Sequence, residues 1–123
     1  MFPDFVERDV NLASRNTLAL PGLAAFYARI TSADQLKQLV SAGLPDNLRR
    51  FVLGGGSNLV LSGEFDGLIL HQAIAGRQLA SEDNEAWYVS AGAGESWPEF
   101  VDWTLSQGWP GLENLSLIPG TVG

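Results

Sequence analysis

Cysteine is absent and histidine occurs once, at His71. The first absence excludes a disulfide framework, a thiolate nucleophile and any cysteine-held metal or iron–sulfur cluster. The second excludes a metal site built from several histidines. Basic residues are scarce: seven Lys and Arg stand against fourteen Asp and Glu, for a net charge of −7. Arg8, Arg15, Arg29, Lys37, Arg49, Arg50 and Arg77 form no run longer than two, which argues against a nucleic-acid partner, because phosphate neutralisation needs clustered cations. Long hydrophobic runs are missing as well. The stretch Leu18 to Ala28 is broken by Pro21 and Gly22 and is too short to span a membrane. The opening residues carry Glu7 and Asp9 and lack the basic-then-apolar order of a secretion signal, so a cytoplasmic location is the expectation.

What remains is a globular composition: 123 residues, 46% apolar and 17% charged, enough for one domain or a large piece of one. Residues 1–25 read as an irregular lead-in, punctuated by Pro3, Pro21 and Gly22. Phe26 to Thr31 reads as a strand. Ser32 and Gln35 then form a capping box ahead of Leu36, Leu39 and Val40 at helical spacing, and Gly43 and Pro45 end the helix. Arg50 to Leu53 is a second strand running into Gly54-Gly55-Gly56-Ser57-Asn58, with Leu59 to Leu61 continuing it. Leu68 to His71, Gln78 to Ser81 and Trp87 to Ala91 read as further strands. Ser96 and Glu99 form a second capping box with Pro98 in the first turn, and Phe100, Val101, Thr104 and Leu105 supply an apolar stripe ended by Gly108 and Pro110. Strands outnumber helices, so the expectation is an α+β fold with helices packed on a mixed sheet rather than regular βαβ alternation.

The most chemically suggestive segment is Gly54 to Asn58. Glycines let a backbone approach a ligand closely, and successive amides in such a loop converge into an anion-binding nest. An acidic chain with few lysines can hold a diphosphate in this way. The bland alternative is a glycine-rich turn in which Asn58 makes a local bond. Two standard nucleotide motifs are excluded: no lysine follows the loop as a Walker motif requires, and Leu59 and Trp97 stand where dinucleotide fingerprints would need glycine. Capping explains Glu95 and Glu99, His71 reads as structural, and Trp87, Trp97, Trp103 and Trp109 read as core or partner-facing. No serine has a base partner in a recognisable arrangement.

Four segments in order, Asn16-Thr17-Leu18, Leu53 to Leu59, Val89 to Gly94 and Gly111 to Gly123, resemble the UDP-N-acetylenolpyruvoylglucosamine reductase family. The Gly111–Gly123 block, GLENLSLIPGTVG, carries the most weight. The resemblance implies FAD bound in a two-lobed domain of the vanillyl-alcohol-oxidase (PCMH) type, with residues 26–123 as its first lobe. It implies that Gly54, Gly55, Gly56, Ser57, Asn58 and Leu59 match the FAD diphosphate loop, and that Ile118, Pro119, Gly120 and Gly123 begin a second loop against the same cofactor. It further implies NADPH as co-substrate, a UDP-sugar as substrate, and a role in peptidoglycan synthesis. The family's catalytic serine, arginine and glutamate match positions beyond Gly123, as do the second lobe and the substrate domain, so no catalytic residue is assigned here and these residues by themselves are expected to be inactive. The competing readings are another flavin oxidoreductase of the same superfamily and a non-catalytic module holding a nucleotide diphosphate. Oligomeric state is left open.

Overall fold

The computed structural model describes residues 1–123. Six strands, two α-helices and two short 3-10 turns form a four-stranded sheet, a separate hairpin and their covering helices. In chain order the strands are β1 (Val6–Asn11), β2 (Leu23–Ile30), β3 (Arg50–Leu53), β4 (Phe65–Gln72), β5 (Arg77–Glu82) and β6 (Trp87–Ala91), and the helices are α1 (Ala33–Ser41) and α2 (Trp97–Ser106). The main sheet runs β1-β2-β4-β3. Its first pair is antiparallel, while β4 pairs parallel with both β2 and β3. α1 lies in the connection between β2 and β3, which flank β4. The α+β reading with helices on a mixed sheet therefore describes the molecule.

The central strands are the most apolar and bury the most. Ala28, Ile30, Leu39 and Leu68 make one core cluster, seating α1 on the sheet. Leu12, Ala24, Tyr27, Leu53 and Ile69 make a second, on the side toward the glycine loop. Each large apolar side chain so buried contributes roughly 1.5–3 kcal/mol. β5 and β6 form a two-stranded antiparallel hairpin. Nearby, Trp87 stacks on Trp109 at 6.5 Å and Trp103 meets Trp109 edge-on at 5.3 Å. Trp87 stays largely exposed, so these rings form a surface cluster rather than a core.

Four local readings change. The lead-in over residues 1–25 is not irregular throughout, because Val6–Asn11 is an edge strand and Ala13–Arg15 a 3-10 turn. The strand is hard to see in sequence because Glu7, Arg8 and Asp9 face solvent and Asp9 takes a positive φ of 53°, interrupting the alternation. It is held by pairing along β2 and by Arg8 over the Phe26 ring. Leu59 to Leu61 forms no strand; Leu59 and Leu61 pack onto the second core cluster while Val60 points outward.

The capping boxes also differ from expectation. At α1, Ser32 Oγ accepts the Gln35 N–H at 3.3 Å, but Gln35 Oε1 accepts from the Thr31 amide rather than from Ser32. At α2, Ser96 makes no side-chain cap. Its backbone pairs with Thr121, and the Trp97 amide donates to the Gly120 carbonyl, so a neighbouring loop satisfies the helix end instead.

Candidate functional site

β3 and β4 end side by side, with Leu53 opposite His71 in the parallel register. From this edge the Gly54–Asn58 loop departs, and three segments distant in sequence meet around it. The first is the 3-10 turn Ala13–Arg15 with Asn16 and Thr17. Asn16 is buried and its side chain is fully used: its amide donates to the Leu12 and Leu20 carbonyls, and its oxygen accepts the Leu20 N–H. This clamp fixes the turn, and the Thr17 amide then donates to the Gly56 carbonyl at 3.1 Å. Gly56 has φ +67°, and a Cβ there would lie 2.7 Å from Asn16 Cα and would overlap the Arg15 carbonyl. Only glycine fits this position.

The second segment is the chain from Gly120 to Gly123. A Cβ at Gly54 would come within 2.9 Å of Thr121 Oγ1, one at Gly55 within 3.4 Å of Gly120 Cα, and one at Gly120 within 3.0 Å of Ser57 Oγ. The third is the turn after β6. Glu95 O accepts the Val122 amide and Ala93 O accepts the Gly123 amide. Glu95 also spans outward, its carboxylate accepting the Gly76 N–H at 2.6 Å.

The glycine loop thus has its Cα side packed on protein backbone while its amides are free. No amide from Gly54 to Asn58 donates to a carbonyl of the chain, and the Asn58 side chain makes no local turn bond. Gly55 and Asn58 are exposed. Free successive amides at a crowded, glycine-rich loop are what a diphosphate requires, so the residues present fit that group.

The structure places the ten candidate residues unequally. Gly54, Gly55, Ser57, Gly120 and Gly123 converge, and Gly56 is the hinge pin against Arg15 and Asn16. Leu59 faces the apolar cluster of Leu12, Leu53 and Ile69. Ile118 is half exposed and Pro119 exposed, on the approach to Gly120.

A polar cavity of about 250 Å³ lies against the loop, lined by Ser14, Arg15, Thr17, Gly54, Gly55 and His71 among others. Beneath it the Tyr27 hydroxyl is hydrogen-bonded to His71 Nδ1, and the Arg15 guanidinium carbon lies 5.4 Å from the Tyr27 ring centroid. Burial, together with the charges of Arg15 and Arg29, holds the His71 imidazole below its ordinary 6.5. Burial likewise pushes the Tyr27 phenol above 10.0, against the opposing pull of Arg15 and Arg29. Neither Arg15 nor Tyr27 was singled out by motif; the one available signal was a lone arginine directly preceding Asn16-Thr17-Leu18.

A mixed-sheet α+β domain with unpaired loop amides beside a polar cavity has the geometry of an anion-binding module. Residues 24–123 match the family model described as the FAD binding domain. The UDP-N-acetylenolpyruvoylglucosamine reductase of Dechloromonas aromatica (strain RCB) is 60% identical over 117 residues, covering 94% of this chain and 33% of that protein. Its counterpart in Burkholderia cenocepacia (strain HI2424) is 54% identical over 115 residues, again covering 94% and 33%. Among solved structures, the UDP-N-acetylenolpyruvylglucosamine reductase (MurB) from Thermus caldophilus is 33% identical with a TM-score of 0.66, over 96% of this chain and 40% of that one. The chain belongs to the FAD-binding domain family, whose cofactor is FAD. It spans about a third of the length of the curated relatives it matches. No helix is long and apolar enough to cross a membrane.

Proposed function

We propose that this chain is the FAD-binding portion of an NADPH-dependent reductase that converts UDP-N-acetylenolpyruvoylglucosamine to UDP-N-acetylmuramate in peptidoglycan synthesis, acting in the cytoplasm on a UDP-sugar. The observation that carries the proposal is the 60% identity to a reductase of that name over nearly the whole chain. The free amides of the Gly54–Asn58 loop support it by supplying what a flavin dinucleotide needs. Residues 26–123 serve as the first lobe of the cofactor domain.

In this reading the residues of the chain bind and orient rather than react. The amides of Gly54, Gly55, Gly56, Ser57 and Asn58 hold the diphosphate, with Gly120 and Gly123 closing the loop from the other side and Ile118 and Pro119 bordering the approach. Leu59 anchors the loop to the core. Bound FAD supplies a two-electron acceptor and donor able to carry a hydride from nicotinamide to the enolpyruvyl group. Catalytic side chains come from outside these residues.

The visible absorption spectrum of the natural polypeptide carrying this sequence tests the proposal. A flavin spectrum is expected, with FAD released on denaturation and bleaching by NADPH that reverses when UDP-N-acetylenolpyruvoylglucosamine is added. A colourless protein that cannot be reconstituted with FAD overturns the reading and favours a module that binds a nucleotide diphosphate without redox chemistry.

A further inference from the structure

The acidic composition and the glycine loop together imply a diphosphate gripped largely by backbone, yet the cavity beside the loop is also lined by a cation, Arg15. Arg15 is delivered there by the 3-10 turn, which Asn16 locks from below. Its guanidinium makes no ion pair and no hydrogen bond to the protein, and its Nε is buried without any partner. Arg15 as a whole is half-buried, but a buried donor left unsatisfied is costly, so the Nε–H is expected to find a partner when the cavity is filled. No carboxylate competes for it: Glu7, which faces Tyr27 across the β1–β2 pair, forms no salt bridge with it. Stacking over Tyr27, itself held by His71, limits the directions in which the side chain can swing.

Resting on the FAD reading above, we propose that Arg15 is a side-chain ligand of the cofactor's diphosphate, completing with its guanidinium a grip whose other half is the amide loop from Gly54 to Asn58. Guanidinium presents a planar fork of donors that matches a phosphate's oxygens, and it stays charged at every accessible pH. The site thereby selects dinucleotides over flavins lacking a diphosphate. Tyr27 and His71 act as positioning residues, setting the plane on which the guanidinium rests.

The test uses the natural polypeptide stripped of flavin, with FAD, ADP and riboflavin as probes, followed by fluorescence and calorimetric titration. Arg15→Met, which keeps the length and removes the charge, is expected to weaken FAD and ADP by roughly 10- to 100-fold, the range of a charge-assisted hydrogen bond, while leaving riboflavin unchanged. Affinity of the unmutated protein for FAD is expected to fall as NaCl rises, and that of the variant to fall less. Should the Met variant fail to fold, Arg15→Lys retains a cation and is expected to keep the salt dependence while losing part of the affinity. Equal FAD affinity and salt dependence in the unmutated protein and the Met variant overturn the assignment, as does an equal loss for riboflavin. If the unmutated protein takes up no FAD at all, the parent reading falls with it.

Discussion

Gly43 and Gly56 have the same backbone φ, +67°, and opposite surroundings. At Gly43, which follows the end of α1, an added Cβ meets nothing within 4 Å. At Gly56 it meets the Arg15 carbonyl and Asn16 Cα, all of it backbone that no rotamer change can relieve. Alanine at either site bears the left-handed strain of about 1–2 kcal/mol. Both variants also gain about 0.4–1 kcal/mol from a less flexible unfolded chain. These terms cancel in the difference between them. What survives is overpacking at Gly56, typically about 1–3 kcal/mol, plus any loss of the bond from the Thr17 amide. Urea unfolding of the natural polypeptide, read at constant m-value, is expected to put Gly56→Ala below Gly43→Ala by that margin. Equal midpoints would falsify the close approach of the turn and the loop, and with it the means by which Arg15 is brought to the cavity.

Other outcomes follow from the same structure. Ser32→Ala is expected to destabilise by about 0.5–2 kcal/mol through loss of the α1 cap, whereas Ser96→Ala changes stability by less than about 0.5 kcal/mol, since Ser96 caps nothing; thermal denaturation of the pair reversing this order refutes the assignment. His71 has a folded-state pKa below its unfolded value. Between the two values the unfolded chain binds more protons, so stability present above about pH 6.5 is lost as pH falls toward the folded-state value. His71→Gln should flatten that segment of the stability–pH curve, and an unchanged slope counts against a half-buried imidazole held neutral.

Much of the fold was legible because it rests on local chemistry. Apolar runs marked β2, β3 and β4, and Ser32 with Gly43 bounded α1. The glycine loop announced itself by composition. What escaped depends on contacts between distant segments. β1 is an edge strand whose charged middle obeys no alternation, and only pairing with β2 reveals it. Ser96 has the residue type and spacing of a cap, but the chain from Gly120 onward reaches its helix end first. Leu59 reads as the start of a continuing strand, but it lies outside any strand and packs from the loop onto the cluster of Leu12, Leu53 and Ile69. Arg15 carries no motif, and its place beside the loop depends on Asn16 bonding Leu12 and Leu20, a clamp visible only in three dimensions.

The meeting of Ser14–Thr17 with Gly54–Asn58 and Gly120–Gly123 has a consequence for how the protein is made. Loop closures of such span are entropically slow to form. A growing chain emerging from the ribosome presents the turn first and the glycine loop next, and both must wait for the last partner. Until then the amides and the guanidinium are oriented by only part of their frame. The site is therefore complete only once Gly120–Gly123 has joined the other two segments, and a dinucleotide that prefers the finished arrangement acts as a fastener, holding the three together by mass action.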